Sequence, residues 1–286
     1  MVLQPRFDAE DMLRLIEKHR VTHMHIVPTM FVRLLRLPDE VKKKYDHSSV
    51  RWITHGAAPC APAVKRQMID WWGPVIYEYY GATETGVVVW HDSAEALAKP
   101  GTVGRVVEGA VMRIVDERGN DVGQGEVGEI FLRGPLYNDF TYNNDDAKRR
   151  EVALGDLVTV GDVGYQDADG YVFLCDRKRD MIISGGVNIY PAEIESVLIQ
   201  MPGVRDCAVF GIPDERWGEV PAAHVVLWPG RQATPDDLIA HVAGIVARFK
   251  RPRRIEIVPY ARHHLQLRPG TNVALLHMFA DAQRWV

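Results

Sequence analysis

The sequence predicts a chain of two fold classes in series, α/β followed by α+β, with a run of short strands between them. Three observations carry this. Helical and strand patterns alternate over 1–98, as they do in a parallel sheet. From Lys99 to Asp176 short strands recur between turn signals with almost no helix. Beyond Arg177 two amphipathic helices are interleaved with a few strands, the pattern of helices laid over a small sheet.

Taken in order, Asp8 stands as a helix N-cap, with Met12, Leu13, Ile16 and Val21 following at near-helical spacing. His23 to Val27 alternates as a short strand, and Pro28 opens a second helix. Arg51 to His55 reads as a strand that runs into the turn Gly56-Ala57-Ala58-Pro59. A helix from about Ala61 to Trp71 and a strand from Val75 to Tyr80 complete the first region. In 99–176 the strands are Thr102–Val107, Val111–Asp116, Gly128–Arg133, Val158–Tyr165 and Gly170–Cys175. They are expected to form a small β-barrel or sandwich, with a polar helix near Asn144 to Val152. In 177–260, helices are expected over Pro191–Met201 and Pro235–Phe249, and strands over Val204–Ile212, Ala222–Trp228 and Arg253–Val258.

Composition narrows the classes. A chain of 286 residues suits about two domains of roughly 150 residues. With 47% hydrophobic and 25% charged residues it reads as globular and soluble. A formal charge of −4 offers no basic field for a nucleic-acid backbone. The three cysteines, Cys60, Cys175 and Cys207, have no C-x-x-C spacing, which argues against a disulfide framework and a zinc site and fits a reducing, cytoplasmic setting. No apolar run approaches the ~20 residues of a membrane helix. Pro5, Arg6 and Asp8 interrupt the position of a secretory core, so no signal peptide is expected. The chain opens straight into structured sequence, from which an upstream part is expected to be absent.

Four segments carry chemistry. In EYYGATETG, Glu78 to Gly86, a strand ends in an aromatic, and a glycine lets the backbone turn close to a ligand. There Thr83 can donate to a phosphate and Glu84 can offer Mg²⁺ a hard oxygen. Gly56, Ala57, Ala58 and Pro59 are small enough for a flat ring to lie on the backbone, or simply make a tight strand-to-helix turn. Asp162, in a glycine-flanked turn, can accept from ribose hydroxyls, with Arg177 adding charge-assisted bonds. Gly185 and Gly186 permit close approach or positive φ, and the segment lacks the Walker phosphate-loop pattern.

In order and wording these segments resemble the adenylate-forming superfamily of acyl-CoA synthetases, luciferases and peptide-synthetase adenylation domains. YGATETG, GTVGR, TVGD and the long block from Asp176 to Glu195 carry the resemblance, which runs from Met1 to about Tyr260 and is closest to fatty- or aromatic-acid–CoA ligases. It implies a partial fold: 1–98 the end of the α/β nucleotide-binding subdomain, 99–176 its β-barrel subdomain, 177–260 the mobile α+β domain, and 261–286 a divergent tail. By the same resemblance Gly56 to Pro59 and Tyr80 sandwich adenine, next to Gly81. Thr83 touches the α-phosphate and Glu84 binds Mg²⁺, the two as the catalytic pair. Asp162 and Arg177 hold the ribose, Arg179 lies at the hinge, and Gly185 and Gly186 border the pantetheine tunnel. The implied reaction joins a small carboxylic acid, fatty or aromatic, to coenzyme A through an acyl-adenylate formed from ATP, with AMP released.

Two departures qualify that reaction. The family's Ser/Thr/Gly-rich phosphate loop, expected upstream of YGATE, is not found, and no lysine follows Lys250 where the family places its catalytic one. The expectation is therefore a truncated ligase with little activity alone. The alternatives are a non-catalytic nucleotide- or acyl-adenylate-binding remnant, and one half of a split synthetase whose other half is separately encoded. Part of the tail, from His264 to Leu276, resembles a phrase of molybdopterin-dependent oxidoreductases too short to import their activity. His263-His264 and the pair His23 and His25 lack companions at zinc-like spacing and read as ordinary histidines. Poor packing is expected after about Tyr260, with an amphipathic helix near Asn272 to Ala282.

Overall fold

A computed structural model of the protein describes residues 1–136, 139–143 and 145–259, which divide between Lys178 and Arg179 into two units. The expectations for the tail, including His263-His264 and the helix near Asn272 to Ala282, lie outside the described residues.

The first unit begins with α1 (Ala9–His19), capped by the Asp8 carboxylate, which accepts the Asp11 amide at 2.8 Å. Its apolar spacing places Ala9, Leu13 and Ile16 in the core. Next come β1 (His23–Ile26), α2 (Pro28–Leu35), α3 (Asp39–Lys44), β2 (Trp52–His55), α4 (Pro62–Trp72) and β3 (Ile76–Ala82). Strands β1, β2 and β3 are parallel, with Ile53 opposite Met24 on one side and Ile76 on the other. Alternation along them sends Ile26, Ile53 and Ile76 into a core with Leu13 of α1, Phe31 of α2 and Met68 of α4. Other positions of the strands hold an aromatic stack: Trp52 lies on Tyr77 with ring centroids 3.7 Å apart, and Trp90 lies 5.7 Å from both.

Trp90 belongs to β4 (Gly86–His91), which runs antiparallel to β3. After α5 (Ser93–Ala98) come β5 (Gly104–Val106), β6 (Val111–Val115), β7 (Gly128–Arg133), α6 (Asp146–Glu151), β8 (Ala153–Leu154), β9 (Leu157–Val158), β10 (Asp162–Gln166) and β11 (Tyr171–Arg177). All these strands join one sheet in the order β1-β2-β3-β4-β5-β11-β10-β7-β9-β8, with β6 on β7. The expected small barrel is thus a continuation of the first sheet, and among the described residues the pairings do not close into a ring. The strand expected over Val158–Tyr165 is broken. The Thr159 hydroxyl accepts the Gly161 amide at 2.9 Å, Gly161 takes φ +84°, and β10 starts only at Asp162. The sequence reading did not include β4, whose valine run follows immediately on the Thr83–Thr85 turn.

The second unit contains β12 (Ile182–Ser184), β13 (Val187–Ile189), α7 (Pro191–Leu198), β14 (Val204–Asp214), β15 (Gly218–Leu227), α8 (Pro235–Ala243) and β16 (Arg254–Ile257). Its sheet has the order β13-β12-β15-β14, with β16 parallel to β15. Ile194 and Leu198 of α7 and Leu238 and Val242 of α8 fill one core with Val209, Val225 and Ile255. The helix expected to reach Phe249 stops at Ala243 with Gly244 as its C-cap, and Arg248–Lys250 is a separate 3-10 turn.

Truncating Ile194, which is fully buried, should destabilise the second unit by about 2–5 kcal/mol through lost burial and a cavity. Hydrogen exchange in Ile194→Ala is expected to accelerate across β14 and β15 while β2 and β3 stay protected; equal acceleration in both units would contradict two separate cores.

Candidate functional site

The candidate residues of the first unit gather around the end of β3. Alternation along this strand buries Ile76, Glu78 and Tyr80 and leaves Tyr77 and Tyr79 half-buried. The Tyr80 hydroxyl donates to Asp162 Oδ2 at 2.8 Å. Asp162 opens β10 directly opposite Arg177 on β11, and Arg177 Nε lies 3.5 Å from Asp162 Oδ1. Three residues separated by up to 97 positions therefore meet at one carboxylate. Burial, followed by the Asp162 charge, raises the Tyr80 pKa, so this phenol remains a donor.

Beyond Tyr80 the chain turns sharply. A Cβ on Gly81 would run into the Gly86 carbonyl of β4, so only glycine fits there. Thr83 is exposed at the tip and Glu84 is half-buried. Thr85 holds this turn, although nothing in the motif singles it out. Fully buried, it takes the Ala82 amide on its hydroxyl at 2.9 Å and donates to the Gly86 carbonyl at 3.0 Å. Glu84 Oε1 accepts from the Tyr142 hydroxyl at 3.3 Å, a second contact that sequence reasoning did not identify.

The turn from Gly56 to Pro59 leaves β2 beside this strand. A Cβ on Gly56 would stand 2.8 Å from the Tyr79 ring, so the first position of the turn has to be glycine. Ala57 adopts φ +68°, a left-handed conformation that costs a non-glycine residue roughly 1–2 kcal/mol. Among the described residues the other non-glycine residue with positive φ, Arg20, ends α1, where such a conformation is ordinary. Ala57, Ala58 and Pro59 are all exposed.

Beneath the turn lies a cluster of ionisable groups that sequence reasoning passed over. Glu78, on β3, is the register partner of His55 on β2 and of His91 on β4. Its Oε2 receives the ammonium of Lys65, from α4, and lies 2.7 Å from His91 Nε2. Lys65 Nζ is 3.1 Å from His91 Nε2, and His91 Nδ1 donates to the Asp92 carbonyl at 2.8 Å. His55 Nδ1 stands 3.9 Å from Glu78 Oε1, and among the described residues neither of its ring nitrogens has a hydrogen-bond partner. All four side chains are at most 5% exposed, so every charge among them has to be matched inside the protein. Burial is the largest influence on Glu78 and opposes its ionisation. The His91 hydrogen bond and the Lys65 charge outweigh it, and the carboxyl lies below its usual range. Burial pushes His55 down to about 4. The signal for this cluster was present in the sequence as a glutamate at an apolar position of the alternation Ile76, Glu78, Tyr80.

In the second unit, Gly185 and Gly186 connect β12 to β13 in a two-residue hairpin with φ +58° and +83°. Gly185 donates its amide to the Trp217 carbonyl at 2.7 Å, and a Cβ there would stand 2.6 Å from the Trp217 ring. Local geometry thus already demands both glycines. Arg179 is the first residue of this unit.

The AMP-binding enzyme model matches residues 1–138, and the AMP-binding enzyme C-terminal domain matches 193–262. An indoleacetate–CoA ligase of Aromatoleum aromaticum is 37% identical over 256 residues, which is 89% of this chain and 49% of that protein. A medium/long-chain-fatty-acid–CoA ligase of Mycobacterium tuberculosis is 35% identical, covering 90% of this chain and 46% of its own length. Among solved structures, the o-succinylbenzoate CoA synthetase of Bacillus subtilis, in complex with its acyl-adenylate intermediate, superposes with a TM-score of 0.80 at 30% identity. That match covers 90% of this chain and 51% of the other. The chain spans about half the length of the curated relatives it matches.

His55 and Glu78 both have depressed pKa values, so the stability each contributes is present above its unfolded value and is lost as pH falls through the folded one. For His55 the window runs from 6.5 to about 4, worth on the order of 3 kcal/mol, and Glu78 adds to the same acid side below 4.5. Thermal midpoints of the first unit are expected to fall steeply between pH 6.5 and 4, and His55→Leu to flatten that slope. An unchanged slope would contradict a neutral buried His55.

Proposed function

As a member of the AMP-binding enzyme family, the chain is, we propose, the nucleotide-holding portion of an ATP-dependent acid–thiol ligase, with its adenosine site at the end of β3. The contact between Tyr80, Asp162 and Arg177 supports this most directly: it brings a flat ring, a carboxylate and a cation from three strands together beside a turn of small, exposed residues. On this reading Gly56 to Pro59 and Tyr80 flank the adenine, Asp162 accepts from the ribose hydroxyls, and Arg177 steadies Asp162 from the side. A carboxylate has about four acceptor sites, so Asp162 can hold a ribose without releasing Tyr80. Thr83, exposed at the tip of its turn, donates to the α-phosphate.

Glu84 is the metal ligand in this proposal. Among the described residues no group of three or more histidine, cysteine, aspartate or glutamate side chains gathers to cage an ion. A single carboxylate suits Mg²⁺, which binds through one or two carboxylates plus substrate phosphates. Mg²⁺ supplies neutralisation of the phosphate charge, and the Tyr142 hydroxyl fixes the Glu84 carboxylate that would hold it.

The overall reaction is attack of a carboxylate on the α-phosphorus of ATP, with pyrophosphate leaving, followed by displacement of AMP by the thiol of coenzyme A. Fatty and aromatic acids are the proposed substrates, in line with the indoleacetate and fatty-acid ligases above. Gly185 and Gly186 border the thiol's path and Arg179 serves as the hinge. Cys60, Cys175 and Cys207 form no disulfide with one another, which fits a cytoplasmic setting.

The 286 residues contain no phosphate loop of the kind described above, and no lysine after Lys250. Removing even one donor to developing charge costs ~10²–10³ in rate. The proposal is therefore that this chain alone binds nucleotide without adenylating acids.

Calorimetry is expected to show AMP binding at millimolar concentration or below, weakened about tenfold or more by Asp162→Ala, a loss of about 1.4 kcal/mol. Pyrophosphate release with ATP and a panel of fatty and aromatic acids should stay at background. Absence of any heat with millimolar AMP would sink the nucleotide reading, and robust pyrophosphate release would sink the expectation that this chain alone does not adenylate acids.

A further inference from the structure

We propose that Lys65, Glu78 and His91 are positioning residues for the adenine turn, holding the left-handed backbone at Ala57 from both of its ends. The inference rests on the nucleotide reading above only for what the turn is for; the restraint itself is a matter of geometry.

The turn has little to hold it in place directly. Ala57, Ala58 and Pro59 are exposed, and no hydrogen bond to any of the three is found among the described residues. Only the flanking Gly56 and Cys60 are buried. A strained conformation persists only where its surroundings over-determine it, so the restraint on Ala57 has to enter through the ends of the turn. Both ends lead into the same charge cluster. His55, immediately before Gly56, is wedged between the Phe31 ring, 5.1 Å away and edge-on, and Glu78. Lys65 lies in the first turn of α4, directly after the loop, and is drawn to Glu78. Glu78 is locked in turn by His91 of β4. Strand β3, which bears Glu78, also carries Tyr79 against Gly56 and Tyr80 into the adenosine site. One buried carboxylate therefore bonds the helix after the turn and β4, and stands against the side chain that ends the strand before the turn.

Glycine adopts φ near +68° without penalty, which gives the test its logic. Hydrogen exchange and AMP calorimetry would be run on the full chain with Glu78→Gln. A charge-neutral pair, Lys65→Met with Glu78→Gln, guards against misfolding from an unpaired buried ammonium. Each would also be made together with Ala57→Gly. In both backgrounds exchange is expected to rise about tenfold over residues 53–55 before the turn and at Val64 and Lys65 after it, whose amides bond the Ala61 carbonyl, while β7 keeps its protection. AMP affinity is expected to fall about tenfold and to be largely restored by Ala57→Gly. Equal acceleration in β7, or an affinity loss that Ala57→Gly does not recover, would overturn the proposal, because a purely structural role gives just those results. If the unaltered chain binds no AMP at millimolar concentration, the nucleotide reading falls and the exchange arm alone decides whether the turn is clamped.

Discussion

Glu78 is a carboxylate held almost entirely away from water, and such a charge survives only when its neighbours answer it. Stripping an ion of its solvent costs several kcal/mol even after relaxation, and breaking one side of a buried pair is typically worse than never having had it. Lys65 and His91 meet this demand from one helix and one strand, and His55 completes the surround while remaining neutral. The requirement fixes where α4, β2, β3 and β4 sit relative to one another. It does so at the strand ends, where backbone placement decides whether a flat ligand finds a surface to lie on.

The second constraint acts at longer range. Tyr80, Asp162 and Arg177 come from strands far apart in the chain, and their contact exists because β10 and β11 join the same sheet as β3 through β4 and β5. The strands that follow Lys99 are thus more than a separate module beside the first sheet. They carry the carboxylate that completes the candidate site. A single ladder running through both regions makes the spacing of Tyr80 and Asp162 a property of sheet geometry, which is stiffer than a loop.

Much of this was legible in the residues. Period-two alternation marked β1, proline at a first turn marked α2 and α7, and the motif wording pointed to the family that the matches then identified. What escaped was mostly contextual. Thr85 looks like any threonine until its burial and two hydrogen bonds are seen, and exposed Thr83 beside it looks the more functional of the two. Glu78 stands in its motif without an evident role, although a charge at an apolar position of a strand needs a partner. Neither Lys65 nor His91 announces itself, since the partner of a buried charge is set by tertiary register and not by sequence distance. The broken strand near Gly161 shows the same limit at smaller scale: a hydroxyl-to-amide turn at Thr159 outweighed the local β propensity.

The aromatic stack of Trp52, Tyr77 and Trp90 has a spectroscopic consequence. Rings this close and nearly parallel couple their electronic transitions, so their near-ultraviolet dichroism should differ from that of the same chromophores taken singly. Because the three rings come from β2, β3 and β4, that coupling depends on the alignment of these strands beside the turn from Gly56 to Pro59. The protein thereby carries an intrinsic optical ruler for the register of its own sheet, one that needs neither label nor ligand.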